Sequence, residues 1–374
     1  MLRETRGRYM WLKKRRARLF ANGEGDREEF WAHASDSGPV SSDFPWVREQ
    51  LADGGVLYSF PGPNQRERPA LLLCHGFAQN SSAFTLPARS LVRHARAAGF
   101  APYVLELPVR RSKPGASVQC EWDGLSRYAN VVAVQAMDRV QREHDRVFWL
   151  GHSMGGLIGL CLPPGSKEHI SALVSVGSPL LPAIPGGRLA NRVLYRCARA
   201  LAGADVPLPG KSIARKLDAW AWLLDHPVPG SVFPLQLWHP RSLQPAEIRY
   251  ALREAFDDDT WSALADLLEL GLSSGRRAGA LDVEARLREW RAPAMVVAGD
   301  EDRLVPLHSA RLLFDRLGAT QKSFLEIGAQ TTGAAAGHID VLMGAHAEAH
   351  VWPQIIRFLQ RHGSDAKAAR ITPQ

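Results

Sequence analysis

Short apolar runs alternate with segments of helical period along most of this chain. The runs Gly55 to Phe60, Ala70 to Cys74, Pro102 to Leu107, Val147 to Leu150, Ala172 to Val176, Ala294 to Ala298 and Ser323 to Ile327 predict strands. Between them, Leu125, Tyr128, Ala129, Val132, Ala136 and Val140 recur at three- and four-residue spacing. Val351, Trp352, Ile355, Ile356 and Leu359 do the same near the end. Strands that are apolar throughout, separated by such helices, predict an α/β fold: a mostly parallel central sheet flanked by helices.

The alternation stops between Pro179 and Trp290, where helical spacing and Pro/Gly punctuation continue without a convincing buried strand. A stretch of that length exceeds any ordinary loop and predicts a helical cap insertion at 179–290. The α/β core is then expected at 46–178 and 291–362, preceded by a basic tail and linker at 1–45 and followed by a short tail at 363–374. Five of the eleven tryptophans, Trp220, Trp222, Trp238, Trp261 and Trp290, fall in the insertion. Two uses stand open for them, packing against the core and lining a substrate pocket.

Composition narrows the classes. The chain has 374 residues, 45% hydrophobic and 22% charged, and no apolar run approaching the length of a membrane span. Cys74, Cys120, Cys161 and Cys197 are widely spaced without a CxxC pair, which favours reduced thiols and a cytoplasmic protein over a disulfide or zinc framework. The formal charge of +8 is concentrated at one end: Arg3, Arg6, Arg8, Lys13, Lys14, Arg15, Arg16 and Arg18 against Glu4 alone. No nucleic-acid motif accompanies this segment, so no nucleic-acid partner is expected. A solvated tail is the simplest account of it. Tyr9, Leu12, Leu19 and Phe20 share one side of a helical wheel, which would allow weak contact with an anionic membrane through residues 1–20. It has no secretory h-region, and an Arg-rich organelle presequence is a further reading.

The chemistry concentrates at strand ends. Val147 to Leu160 reads VFWLGHSMGGLIGL, a G-x-S-x-G pattern between an apolar strand and a small-residue helix. A serine there, Ser153, sits on a sharp turn that lifts its Oγ above the sheet, and the flanking glycines remove side chains that would collide. Upstream, LLLCHGFAQN places Phe77 just past a strand, where its amide and that of Met154 could together hold an oxyanion at roughly 3–4 kcal/mol per donor. His75 and Cys74 read as structural. Downstream, MVVAGDEDRLVP puts Asp302 beyond a strand end as the acid that orients a histidine, with Asp300 as the fallback. Last comes His338, opening GHIDVLMG; an imidazole, whose unperturbed pKa is near 6.5, suits base and then acid work. His346, Glu348 and His350 form HAEAH, at the wrong offset for a zinc protease and without a third ligand. No phosphate or dinucleotide fingerprint is present, and neither cofactor nor metal is expected.

With HGF, GHSMGG, GDEDRLVP and GHIDVLMG in this order, residues 46 to 359 resemble the α/β-hydrolase superfamily. The ending is similar to that of acid lipases and polyhydroxyalkanoate synthase-like hydrolases. The resemblance implies Ser153, Asp302 and His338 as nucleophile, acid and base, residues 179–290 as a cap, and Asp340 as a brace of the histidine loop. It departs from the synthases in carrying serine rather than cysteine at the elbow. It also departs from many relatives in having Leu107 to Ser112 where they carry a GHGxS loop. The expected function is cleavage of a small, hydrophobic carboxylic ester through an acyl-enzyme. An acyltransferase or thioesterase on the same triad is the alternative, and a non-catalytic ligand-binding protein is the alternative of another class. The oligomeric state is left open.

Overall fold

All seven apolar runs form strands, in a computed structural model that describes residues 45–108, 124–203, 206–226 and 236–369, with side chains to 363. Both the basic N-terminal segment and the loop from Val109 to Ser112 lie outside the described residues. The strands are β1 (Val47–Gln50), β2 (Val56–Ser59), β3 (Ala70–Cys74), β4 (Ala101–Glu106), β5 (Val147–His152) and β6 (Ile170–Val176). After a two-residue hairpin, β7 (Arg277–Ala278) and β8 (Leu281–Asp282), come β9 (Ala294–Gly299) and β10 (Lys322–Ile327).

Eight strands make one sheet in the order β1-β2-β4-β3-β5-β6-β9-β10. The pairs β1–β2 and β2–β4 are antiparallel, and every pair from β4 to β10 is parallel. This is the expected fold class. The strand the hydrophobic pattern does not show is β1: its VREQ sequence is largely exposed, so it has no buried face to leave an alternation. It exists through its ladder with β2, and its charged side chains suit a sheet edge.

Alternate residues of the central strands feed two cores. Leu72, Cys74, Val147 and Trp149 point to one face, under the helix that runs from Leu125 through a π turn at Tyr128–Val132 to Gln141 and under the helix Met154–Leu160. Leu71, Leu73, Phe148 and Leu150 point to the other, under Leu91–Ala97 and the helix beginning at Trp352. Burial on both faces is why these strands read as continuous apolar runs.

Between β6 and β9 the chain is helical: Gly187–Ala202, Gly210–Asp218, Ala221–Leu224, Pro245–Tyr250, Trp261–Leu272 and Val283–Arg288. Its final third merges with the sheet's own core, because Leu270, Ala278, Leu281, Val283, Leu287 and Trp290 are buried in the same cluster as Trp149 and Leu173. Val283–Arg288 thus serves as the covering crossover between two parallel strands. No helix among the described residues is long and apolar enough to cross a membrane.

Candidate active site

Strand β5 ends in His152, and Ser153 follows with φ 52° and ψ −121°, a conformation costly for a residue with a Cβ. Its amide donates to the Val176 carbonyl at 2.7 Å, locking the turn against β6. The glycines around it answer to space. A Cβ on Gly151 would lie 2.2 Å from the Gly156 nitrogen, and one on Gly155 would lie 2.2 Å from the Cys74 carbonyl oxygen. The G-x-S-x-G pattern therefore encodes how closely the helix Met154–Leu160 approaches β3 and β5.

Residues nearly two hundred positions apart meet at this edge. Nε2 of His338 lies 2.9 Å from Ser153 Oγ, and Nδ1 lies 2.8 Å from Asp302 Oδ2. With Nδ1–H donating to the carboxylate, Nε2 offers its lone pair to the serine hydroxyl. The other Asp302 oxygen accepts the Leu304 and Val305 amides at 2.9 and 2.8 Å, so both oxygens of the carboxylate have partners. All three side chains are buried, yet Ser153 and His338 face a cavity.

Asp300, the fallback acid, is turned away from the imidazole. Its oxygens accept the Ala329 and Ala336 amides at 3.0 Å each, fastening the segment that leads to His338 onto the end of β9. Gly299 permits this contact, since a Cβ there would sit 2.3 Å from the Ala336 carbonyl oxygen. Asp340 is fully buried and accepts the Gly337 and His239 amides, bracing the same loop, and burial lifts its pKa to about 6.

His75 is structural. Its Nδ1–H donates to the Gly76 carbonyl at 2.9 Å and its Nε2 accepts the Leu107 amide at 3.1 Å, while burial lowers its pKa to about 4. His152 packs against His338 with ring centres 5.0 Å apart. Its Nε2–H donates to the His338 carbonyl at 2.9 Å, and its Nδ1 lies 2.9 Å from the Gln79 carboxamide. Burial, and then the neighbouring imidazole, push its pKa down to about 3, so His152 stays neutral and holds the backbone of His338. Nothing in the spacing of the chain distinguishes this histidine from an ordinary residue in the elbow.

Phe77 and Met154 stand beside Ser153 on the β3 and β5 ends. Among the described residues, no protein acceptor takes either amide. The loop carrying Phe77 is gripped by the insertion. Ala78 adopts φ 53°, its amide donates to Asp259 Oδ2 at 2.8 Å, and its carbonyl accepts the Asp257 amide at 3.0 Å. Asn80 adds two bonds, to the carbonyls of Ala255 and Glu254. Asp259 is invisible to sequence reasoning, because an acid in a DDDT run reads as a solvated turn.

The cavity beside Ser153 measures about 340 Å³. Gln79, His152, Ser153 and His338 are its polar side chains, and every lining residue from the insertion is apolar, proline or glycine. Leu217, Leu252, Leu264, Leu267 and Leu268 do the lining that tryptophan was one candidate for. Trp238 and Trp290 are buried, Trp261 is packed against Ala265 and Leu268, and Trp220 and Trp222 face outward. Among the described residues no group of three or more His, Cys, Asp or Glu side chains could hold a metal ion.

Relatives share this framework. A monoacylglycerol lipase of Mycolicibacterium smegmatis is 27% identical over 270 residues, 71% of this chain and 82% of that protein. The crystal structure of the Paleococcus ferrophilus monoacylglycerol lipase superposes with a TM-score of 0.55 at 16% identity, covering 85% of this chain and 99% of that one. A soluble variant of the Saccharomyces cerevisiae monoglyceride lipase, in complex with a substrate analog, gives 0.58 at 15% identity, covering 87% and 98%. The sequence profile of the alpha/beta hydrolase family matches residues 71–350, the span from β3 to the last helix that holds the elbow, the loop of Asp300 and Asp302, and the histidine, and this chain belongs to that family.

Proposed function

We propose that this protein is a serine hydrolase of carboxylic esters with an apolar acyl group, acting through an acyl-enzyme. The observation that carries the reading is the unbroken Ser153–His338–Asp302 hydrogen-bonded chain at the wall of an apolar cavity. Ser153 Oγ attacks the ester carbonyl as His338 Nε2 takes its proton. Asp302 holds the imidazole in the tautomer that can accept it and stabilises the imidazolium. The Phe77 and Met154 amides receive the charge that develops on the carbonyl oxygen. Collapse of the tetrahedral intermediate breaks the C–O bond, and His338 returns the proton to the departing alcohol. Water, deprotonated by the same histidine, then releases the acid and frees Ser153.

The lining makes the acyl group the hydrophobic part of the substrate, and the monoacylglycerol lipases among the relatives support a single-chain acyl ester. Residues 179–290 act as the cap over this chain, anchored through their last third. A fluorophosphonate probe tests the nucleophile. Labelling of Ser153 that vanishes in Ser153→Ala, together with turnover of monoacylglycerols and p-nitrophenyl esters, is expected. A folded wild type that neither labels nor turns over any of these esters refutes the reading and favours a ligand-binding role.

A further inference from the structure

The helix Gly187–Ala202 covers the outside of the insertion with only one side of itself in use. Asn191, Tyr195 and Ala198 face inward, packing on Ala265 and Leu268 of the helix Trp261–Leu272, and Asn191 Nδ2 donates to the Leu268 carbonyl at 3.2 Å. The opposite side is apolar and open. Leu189 is 72% exposed and Val193 54%, and Leu194, Cys197 and Leu201 are exposed beside them.

Two stripes run along this open side. Leu189, Val193, Cys197 and Leu201 recur every four residues; Arg188, Arg192 and Arg196 recur every four residues one position earlier, and all three are exposed. Steps of four keep each set on one side of the helix, so an apolar stripe lies next to a cationic one. None of the sixteen residues is acidic. The same insertion exposes Ile213, half open to solvent while also lining the cavity, and Trp220 and Trp222.

We propose that this face docks on an anionic lipid surface. The helix would lie in the interfacial plane, with Leu189, Val193 and Leu201 in the acyl boundary and the arginines on lipid phosphates. The charge pattern selects this occupant. A second copy packed antiparallel about a two-fold axis would bring the arginine stripe against itself, and residues 1–20, with eight basic residues against one acid, carry the same sign of charge as the stripe. A bilayer offers anionic and apolar character along the whole length of both stripes. Docking stands whether or not the ester-hydrolase reading does, since it rests on the exposed stripes of Gly187–Ala202 and not on Ser153.

The test is co-sedimentation of the full-length protein with vesicles of phosphatidylcholine alone and with 30% phosphatidylglycerol. Wild type is expected to bind the anionic vesicles at least tenfold more tightly. The triple variant Arg188→Gln, Arg192→Gln, Arg196→Gln should lose about a hundredfold, at about fivefold per arginine. Leu189→Ser with Val193→Ser should lose at least tenfold, with circular dichroism and hydrolysis of a water-soluble ester unchanged. Deleting residues 2–20 should leave binding by this helix measurable. The proposal fails if wild type does not bind. It fails equally if both helix variants bind as wild type does while the deletion abolishes binding, or if ultracentrifugation shows a wild-type dimer that the Leu189/Val193 variant dissolves.

Discussion

The sheet edge and the insertion meet at one cavity and are built by opposite rules. At the edge, position is fixed by hydrogen bonds with few alternatives. Asp302 spends one oxygen on His338 and the other on two backbone amides, and Asp300 and Asp340 tie down the loop on which His338 rides. In the insertion, the cavity wall is apolar, and any apolar side chain of similar volume would serve. A site divided in this way can keep its chemistry fixed while its substrate changes.

The largest expected effect separates two acids on one loop. Asp302→Asn should lower kcat on short p-nitrophenyl esters by about 10⁴-fold, because the amide favours the wrong imidazole tautomer. Asp300→Asn should cost less than about tenfold in kcat and show itself in lower thermal stability, through two weakened loop bonds. Comparable kcat losses in the two variants would break the assignment of polar precision to Asp302.

The same division explains what was legible in the chain. The elbow and the Asp302 loop could be read because each follows a strand buried on both faces, and such strands show as apolar runs, while His338 follows the half-buried edge strand β10 and could be read from its place between the last apolar run and the final helix. Gly151 and Gly155 could be read because contact with backbone leaves no other choice. The exposed strand β1 left no hydrophobic pattern. Asp259 and His152 act through hydrogen bonds to backbone groups distant in sequence, which no local spacing announces. The tryptophans left both uses open, because an aromatic side chain serves a core and a pocket equally well. Only the tertiary arrangement shows leucine on the wall, with Trp220 and Trp222 outside.

Asp259 is where the two regions touch, so it should show an intermediate effect. Asp259→Ala removes the acceptor that holds Ala78 in its left-handed conformation and frees the loop bearing the Phe77 amide. A fall in kcat of about 30- to 100-fold with KM within a factor of three is expected from misplacing an oxyanion donor. A change confined to KM would assign Asp259 to substrate binding. On the wall itself, Leu264→Trp should lower kcat/KM for long acyl esters at least tenfold while acetyl esters change less than threefold, at a stability cost of about 1–3 kcal/mol. A uniform loss across chain lengths would mean that the acyl group does not enter this cavity.

The smallest effect comes from the insertion's counterpart to Asp302. Asp266, on Trp261–Leu272, is buried and accepts the Leu125 amide at 2.8 Å, and it has no imidazole beside it. Burial lifts its pKa to about 6. The unfolded chain ionises this carboxyl near 3.9, so between about pH 4 and 6 the native state holds a proton that the unfolded state has lost. Stability from this group is greatest below pH 4, falls as pH rises to about 6, and is flat above, where roughly 2–3 kcal/mol has gone. Asp266→Asn keeps an oxygen for the Leu125 amide and cannot ionise. Its Tm relative to wild type should therefore rise by about 2–4 °C between pH 4.5 and pH 7.5. A gap that stays constant across that range, or that closes as pH rises, would show that the surroundings of Asp266 offset the cost of burying its charge.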